Sequence, residues 1–162
     1  MPVESLYSHD GLRDSLTNLA APPLFYEELR RELARAKRTE SKIVLIRIVL
    51  SEGVPATDED KAKFNPKREI LEFGKLIKSA SRAEEVCARI GEREFLSLLL
   101  GGQIQAESIV TRLNLNWLLK ERRLKMLTSY VVSNHGESGL ELLNRLDHID
   151  LIEPIEFENH GE

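Results

Sequence analysis

The sequence predicts an α+β fold, in which helices pack on a sheet that contains an antiparallel hairpin. Segments of helical periodicity alternate with apolar segments of strand character along the 162 residues, in the order α-β-α-β-β-α-β-α. Two of the strand segments, "EVCARI" and "EFLSLLL", are joined by a short turn and therefore form a hairpin. Because no repeat and no linker divides the chain, we expect one domain over residues 14–162 behind a loose lead-in over residues 1–13.

An apolar stripe predicts the first helix. Pro22 and Pro23 suit a first helical turn, where the N–H group that proline lacks would have no partner within the helix. The apolar residues that follow recur every three or four positions: Phe25, Leu29, Leu33 and Ala36. The helix is therefore expected to pack one apolar face on the hydrophobic core.

The segment "KIVLIRIVL" predicts a strand that is covered on both faces, because it is almost continuously apolar and rich in β-branched residues. Its period of two places four residues on one face: Ile43, Leu45, Arg47 and Val49. A charged residue on such a strand needs a partner, so we expect Arg47 to pair with a carboxylate such as Glu92 or Glu94. Binding of an anionic ligand or phosphate by Arg47 is the alternative.

A polar loop with glycine and two prolines, "SEGVPATDEDKAKFNP", separates this strand from a second helix. That helix is predicted to start at Arg68. Its inward residues are Ile70, Phe73 and Ile77. In the hairpin that follows, Gly91 and Glu92 are the two central residues, and glycine in the first place is typical of a type II′ turn.

Three further helical or strand segments and an edge strand complete the predicted fold. A helix over residues 104–122 carries apolar residues four positions apart: Ile109, Leu113 and Trp117. The strand "LKMLTSYVVS" and the short helix "GLELLNRLDHI" follow. The segment "LIEPIEF" is predicted as a final edge strand, because Pro154 is best tolerated where no neighbouring strand needs its N–H group.

Composition and charge argue against several classes of protein. The net charge is −4 and the pI about 5.7, whereas a nucleic-acid-binding domain usually shows a basic face. The one cysteine, Cys87, lies in an apolar run and is expected to be a buried, inert thiol. The start of the chain lacks the pattern of a signal peptide, and no apolar run reaches the roughly 18 residues that a membrane helix needs. We therefore expect a cytoplasmic protein that binds neither nucleic acid nor membranes.

Together these segments resemble the GGDEF family, the diguanylate cyclase-type domains of bacterial signalling, over about residues 14–148. The family's opening pattern Asp-x-Leu-Thr-x-Leu is complete as "DSLTNL", residues 14–19. The order and spacing of the next helix, strand, helix and hairpin match as well, and so does the later strand "LTSYVV". The resemblance implies a ferredoxin-like, nucleotidyl-cyclase-type fold with a βααββαβ core.

The catalytic positions that the resemblance implies are replaced in this chain. Active members bind GTP with two magnesium ions and join two GTP molecules into cyclic di-GMP. The family motif Gly-Gly-Asp/Glu-Glu-Phe stands here as Gly91-Glu92-Arg93-Glu94-Phe95. The second glycine and the metal-ligating acid are thereby lost. The Asp-x-Asp pair that the family places at the end of the first strand is Arg47 and Val49.

These replacements predict a degenerate domain that makes no cyclic di-GMP. Magnesium needs oxygen ligands, and two-metal phosphoryl chemistry needs carboxylates that hold the ions. Arg47 and Arg93 put permanent positive charge at two ligand positions, and the Glu92 side chain would repel a triphosphate. We therefore expect no catalytic residue, no bound magnesium or other cofactor, and no cyclase activity.

One ligand site of the family survives in part. Many members carry an inhibitory Arg-x-x-Asp motif ahead of the hairpin, assisted by an arginine of the next helix. Here the motif reads Arg82-Ala83-Glu84-Glu85, and the helix arginine matches Arg112. Arginine binds phosphate oxygens and stacks on guanine, so Arg82, Glu85 and Arg112 are candidate ligands of cyclic di-GMP. The alternative is a solvated connection that makes weak surface ion pairs.

The sequence leaves three functions in competition. The first is an inactive GGDEF-like regulatory module that binds a bacterial signalling protein. The second is a dedicated cyclic di-GMP receptor. The third, which the replacements disfavour, is a residual cyclase or a repurposed nucleotide-binding enzyme. Because an inactive domain does not need two GTP molecules to face each other across a dimer, we expect a monomer or a weak homodimer.

Overall fold

Helices and strands follow one another in the predicted order, which confirms the α+β fold class. The computed structural model describes residues 7–53, 58, 64–83 and 85–154. The elements are α1 (Pro22–Thr39), β1 (Ile43–Glu52), α2 (Pro66–Ala80), β2 (Val86–Arg89), β3 (Glu94–Leu100), α3 (Gln103–Trp117), β4 (Leu124–Val132) and α4 (Gly139–Asp147). Within these described ranges, no helix combines the length and the apolar character that crossing a bilayer requires.

The strands form a four-stranded sheet in the order β2-β3-β1-β4, and every neighbouring pair is antiparallel. β1 makes the two long ladders, with β3 on one side and β4 on the other. Arg47 of β1 lies opposite Leu96 of β3 and Ser129 of β4, and Val49 lies opposite Glu94. The β2–β3 hairpin is therefore fixed in register on β1, and its turn lies beside the C-terminal end of β1.

Each face of the sheet has its own core. On one face, alternate residues of β1 pack with α2 and α3: Val44, Ile46, Ile48 and Leu50. On the other face, Ile43 and Leu45 pack with α1 and α4. The predicted alternation along β1 is thus confirmed, and it places Arg47 on the α1–α4 face. Burial of a side chain of this size contributes about 1.5–3 kcal/mol, so the two cores stabilise the sheet from both sides.

The second helix begins earlier than the sequence predicts. α2 starts at Pro66 rather than at Arg68, because the Asn65 side chain accepts the backbone N–H of Arg68 at 3.1 Å and caps the helix. Proline in the first turn adds no unmade hydrogen bond there. Most of the preceding polar loop, residues 54–57 and 59–63, lies outside the described residues.

The third helix is shorter than the predicted span of residues 104–122, because α3 ends at Trp117. The indole N–H of Trp117 donates to the carbonyl of Leu124 at 2.8 Å. The guanidinium of Arg122 lies 3.9 Å from the centroid of the Trp117 ring. These contacts fold the chain back across the end of α3 towards β4, which a helix continued to residue 122 would prevent.

The hairpin turn is not the predicted two-residue type II′ turn at positions 91 and 92. The N–H of Ile90 donates to the carbonyl of Glu94 at 2.9 Å, so residues 91–93 form the turn. Gly91 does not have the positive φ that the first position of a type II′ turn requires. The Arg89 side chain of β2 donates hydrogen bonds to the carbonyl of Glu92 inside this wider turn.

The predicted final edge strand is present as a single bridge within the described residues. Ile152 and Thr128 of β4 exchange two backbone hydrogen bonds of 2.8 and 2.9 Å in antiparallel orientation. Pro154, which cannot donate to a ladder, comes two residues later. Residues 155–157, the rest of the predicted segment, lie outside the described residues.

Two Gly→Ala substitutions test this packing. A Cβ atom at Gly74 would lie 2.8 Å from Cγ2 and 2.9 Å from Cβ of Thr17, because α2 packs closely on the N-terminal turn. Alanine favours a helix over glycine by about 1 kcal/mol, but overpacking costs about 1–3 kcal/mol. We therefore expect Gly74→Ala to lower the free energy of unfolding by up to about 2 kcal/mol in urea denaturation.

Gly91→Ala is the matched control. A Cβ atom at Gly91 would come no closer than 3.5 Å to its nearest neighbour, an ordinary contact, and the backbone there suits any residue. We expect a change within about 0.5 kcal/mol. A larger loss in Gly91→Ala than in Gly74→Ala would contradict both the described turn and the described helix packing.

Candidate functional site

A buried ion pair lies beneath the hairpin turn. Nη1 of Arg89 on β2 is 3.1 Å from Oδ1 of Asp14, and both side chains are fully buried. The same guanidinium donates to the carbonyl of Glu92, from Nε at 3.2 Å and from Nη2 at 2.7 Å. Arg89 therefore ties the N-terminal turn to the hairpin turn, and it satisfies a carbonyl that the turn leaves without a backbone partner.

Asp14 is itself held in place by hydrogen bonds. Its Oδ2 accepts the backbone N–H and the hydroxyl of Thr17, each at 2.7 Å. The ring of Tyr7 lies 5.3 Å from the Arg89 guanidinium, and its hydroxyl donates to the Arg89 carbonyl at 3.4 Å. Burial, and then the negative charge of Asp14, raise the pKa of Tyr7. Tyr7 thus covers the ion pair from outside.

Local sequence pattern does not assign a role to Arg89. The available signal was a charged residue inside the apolar run "VCARI", two positions before the glycine of the motif. A charge in such a run needs a buried partner, but the sequence does not say which of the many carboxylates provides it. The partner lies 75 positions away in the chain.

The residues that the resemblance sets at the family's catalytic positions lie together where β1 ends and β3 begins. Nε of Arg47 donates to Oε1 of Glu94 at 2.6 Å, and the two side chains are 25% and 31% exposed. The predicted pairing of Arg47 is therefore confirmed, with Glu94 as the partner. Glu94 is the acidic residue that the resemblance sets in the family motif, and the guanidinium of Arg47 holds its carboxylate.

Arg93, Glu92 and Val49 complete this end of the sheet. The N–H of Leu50 donates to the carbonyl of Arg93 at 2.9 Å, which fixes the turn on β1. Nη2 of Arg93 lies 3.6 Å from Glu52, while the Glu92 side chain is exposed. Among the residues that the structure describes, no three His, Cys, Asp or Glu side chains are grouped so as to hold a metal ion.

The candidate cyclic di-GMP ligands are only partly brought together. Arg82 and Glu85 line a cavity of about 440 Å³ beside α2, and Oε2 of Glu85 accepts the backbone N–H of Arg82 at 3.0 Å. Arg112 is not among the residues that line this cavity, and its Nη2 donates to the carbonyl of Ala80 at 3.1 Å. Glu84, inside the motif, lies outside the described residues.

Cys87 also borders this cavity. Its sulfur lies 2.8 Å from the hydroxyl oxygen of Ser81, and burial raises the pKa of the thiol. A raised pKa keeps the thiol protonated at neutral pH, and the thiolate is the reactive form. The chemistry of this cysteine agrees with the predicted inert thiol, although the residue is partly accessible.

Comparison with solved structures identifies the architecture. The GGDEF domain of DgcB from Caulobacter crescentus, solved in complex with c-di-GMP, superimposes with a TM-score of 0.72 over 96% of this chain and 94% of its own, at 19% sequence identity. The chain has the GGDEF-domain fold. The likeness confirms the predicted α+β fold of the nucleotidyl-cyclase type.

Two structures from Pseudomonas aeruginosa share this GGDEF fold. One is the diguanylate cyclase SiaD in complex with its activator SiaC, with 20% identity and a TM-score of 0.70 over 92% of this chain and 58% of that one. The other is the GGDEF domain of FimX, with 17% identity and a TM-score of 0.67 over 83% of this chain and 88% of that one. No family model and no curated protein matches the sequence.

Asp14→Asn tests the buried ion pair. Asparagine keeps an oxygen for Thr17 but removes the negative charge that faces the buried Arg89 guanidinium. Breaking a buried pair from one side costs about 3–5 kcal/mol, and we expect the free energy of unfolding in urea to fall by this amount.

The control is Arg30→Ala, which removes an exposed pair on α1 whose arginine side chain is 70% exposed. An exposed pair of this kind contributes about 0.2–1 kcal/mol. If Asp14→Asn were no more destabilising than Arg30→Ala, the Asp14–Arg89 pair would not hold the hairpin as described.

Proposed function

We propose that this chain is a catalytically inactive GGDEF-fold domain of a bacterial signalling system, and that it acts by binding a protein partner. The observation that carries the proposal is the ion pair between Arg47 and Glu94, with 2.6 Å between Nε and Oε1. It occupies the end of the sheet where the family resemblance implies the magnesium ligands. The carboxylate that remains there already has a permanent cation as its partner.

The electrostatics at this place oppose a divalent cation. Two unit charges of like sign 4 Å apart repel by about 4 kcal/mol at the dielectric of a protein surface, and Arg47 and Arg93 both contribute such a term. Magnesium binding would also have to separate Glu94 from Arg47. We therefore propose that the domain takes no magnesium, contains no catalytic residue and makes no cyclic di-GMP.

We propose a protein partner because a solved structure with the same fold contains one. SiaD, a diguanylate cyclase with this fold, is known in complex with a protein activator, SiaC. A domain that keeps the fold without the catalytic carboxylates can still present a surface for such an interaction. Without the need to pair two substrate molecules, the domain is proposed to be a monomer or a weak homodimer in the cytoplasm, with no contact to nucleic acid or membranes.

A cyclic di-GMP receptor is the second candidate, because Arg82 and Glu85 line one cavity. Guanidinium and carboxylate groups at its wall suit the phosphate oxygens and the guanine N–H groups of such a ligand. Arg112 would have to leave the carbonyl of Ala80 in order to take part. The two candidates are compatible: a ligand that binds two states of the domain unequally would shift the equilibrium between them, and with it the partner surface.

A cyclase assay tests the main proposal. The full chain, incubated with GTP and magnesium, is expected to release no cyclic di-GMP on chromatography under conditions where an active GGDEF cyclase converts its substrate. The reason is the missing pair of carboxylates at positions 47 and 93. Product formed by this chain and lost in Glu94→Gln would show that the site is active and would overturn the proposal.

Calorimetry with cyclic di-GMP tests the second candidate. Micromolar or tighter binding that falls at least tenfold in Arg82→Ala and in Arg112→Ala would support a receptor, since a hydrogen bond to a charged group contributes about 1.5–3 kcal/mol. Arg93→Ala, at the hairpin turn, is the control and should bind like the unchanged chain. Absence of heat at high ligand concentration would exclude the cyclic di-GMP receptor and leave only the proposed protein-binding function.

A further inference from the structure

Helix α3 has a second apolar face that the sheet does not cover. Its inner face packs into the core through Ala106, Ile109, Val110, Leu113 and Trp117. On the opposite side and at its C-terminal end, large apolar side chains are 56% to 79% exposed: Ile104, Leu115, Leu118 and Leu119. A surface helix normally has one apolar stripe, and a cluster of exposed apolar side chains marks a contact surface.

The exposed side of α3 has the spacing of a coiled-coil seam. Steps of four, three, four and three positions lead through Ile104, Ser108, Thr111, Leu115 and Leu118. This alternation is the a/d pattern of a heptad, and the C-cap residue Leu118 keeps a helical backbone. The first four of these residues also line one shallow groove of about 490 Å³. We call the five residues the outer seam of α3.

Charges of opposite sign flank the outer seam. Glu107 comes directly before an a residue and Arg112 directly after a d residue, so they occupy the g and e positions on opposite sides. Oε1 of Glu107 accepts the Tyr130 hydroxyl at 3.1 Å, and Nη2 of Arg112 donates to the carbonyl of Ala80 at 3.1 Å. Within the described part of the chain neither charged group has an ion-pair partner, so both are available to a second molecule.

A second copy of the same helix satisfies both charges. In two parallel helices, a g residue lies beside the e residue five positions further along the other helix. Glu107 and Arg112 have this separation, so a two-fold axis along the helices brings Glu107 of each copy to Arg112 of the other. An antiparallel pair would place each flank against the same flank of the second copy and keep the two charges apart. The charges therefore favour a parallel pair.

We propose that the outer seam of α3 joins two copies of this chain into a parallel, two-fold symmetric dimer. Ile104 and Leu115 form its apolar layers, and the small residues Ser108 and Thr111 between them let the helices approach closely. Because α3 has 15 residues and is about 22 Å long, the contact is small and the dimer is weak. The proposal assigns a surface to the weak homodimer named above and rests on neither catalytic inactivity nor cyclic di-GMP.

Analytical ultracentrifugation of the full chain, freed of bound nucleotide, tests the dimer. We expect the dimer fraction to rise with protein concentration, with a Kd on the order of 10–100 µM. Leu115→Glu puts a charge into the outer seam and should raise the Kd about tenfold or more. Leu140→Glu is the matched control, because Leu140 is 79% exposed and belongs to α4, on the other face of the sheet.

A charge swap tests the ion pairs. Arg112→Glu and Glu107→Arg alone each set like charges side by side in the parallel dimer, and each should raise the Kd about tenfold. The double variant restores opposite charges and should return the Kd to within about threefold of the unchanged chain. Thermal melting of each variant checks that the fold is kept.

Cross-linking tests the orientation. Equivalent residues of the seam meet at every height only in a parallel pair, so Ser108→Cys and Thr111→Cys should each form an intermolecular disulfide under mild oxidation. Asn116→Cys is the control, because Asn116 is an exposed residue of α3 outside the outer seam.

Several results would overturn the proposal. A chain that stays monomeric up to about 1 mM would do so and would leave the outer seam to a different protein. Equal losses in Leu115→Glu and Leu140→Glu would place the contact elsewhere. A double charge variant as weak as the single ones, or cross-linking of Asn116→Cys as efficient as that of Ser108→Cys, would contradict the parallel pair.

Discussion

The geometry of the hairpin depends on the buried ion pair between Asp14 and Arg89. It ties the N-terminal turn to β2 and to the carbonyl of Glu92 in the hairpin turn, beside the backbone bridge between Ala20 and Ala88. Two apolar groups could fill the same space, and a buried pair often gains nothing over them in stability. The charged pair instead fixes the orientation of the groups, since a guanidinium forms good hydrogen bonds only when its N–H groups point at their acceptors. The turn is therefore held in one shape independently of the residues at its surface.

The residues that stabilise the fold are not those at the partly exposed end of β1 and β3. Arg47 and Glu94 are partly exposed, so their attraction is screened and contributes little to stability. The cores on the two faces of the sheet are formed by other residues, and so is the Asp14–Arg89 pair. Arginine or carboxylate at positions 47 and 93 is therefore compatible with the same fold, because the residues that stabilise the sheet lie elsewhere.

The sequence predicts the features that follow from local pattern. The alternation along β1 and the apolar stripe that begins at Phe25 of α1 are confirmed, because period and burial are encoded within a few residues. The end of α3 could not be read in this way, since the contact of Trp117 with Leu124 exists only after the chain has folded back. The predicted turn type was wrong for the same reason, because the turn depends on Arg89 and its distant partner Asp14. At the site, the pairing of Arg47 followed from the cost of an unpaired charge. The position of Arg112 outside the cavity that Arg82 and Glu85 line required the tertiary structure.

We propose that the Arg47 guanidinium holds the carboxylate of Glu94 so that no metal binds at the hairpin turn. Paramagnetic broadening of backbone amide signals by Mn²⁺ in the presence of GTP, followed by NMR, tests it most directly, because it reports position and does not depend on turnover. We expect the amide signals of residues 47–49 and 91–95 to be broadened no more than those of exposed residues elsewhere in the chain. Selective, saturable loss of those signals at low Mn²⁺ concentration would show a metal at Glu94 and would contradict it.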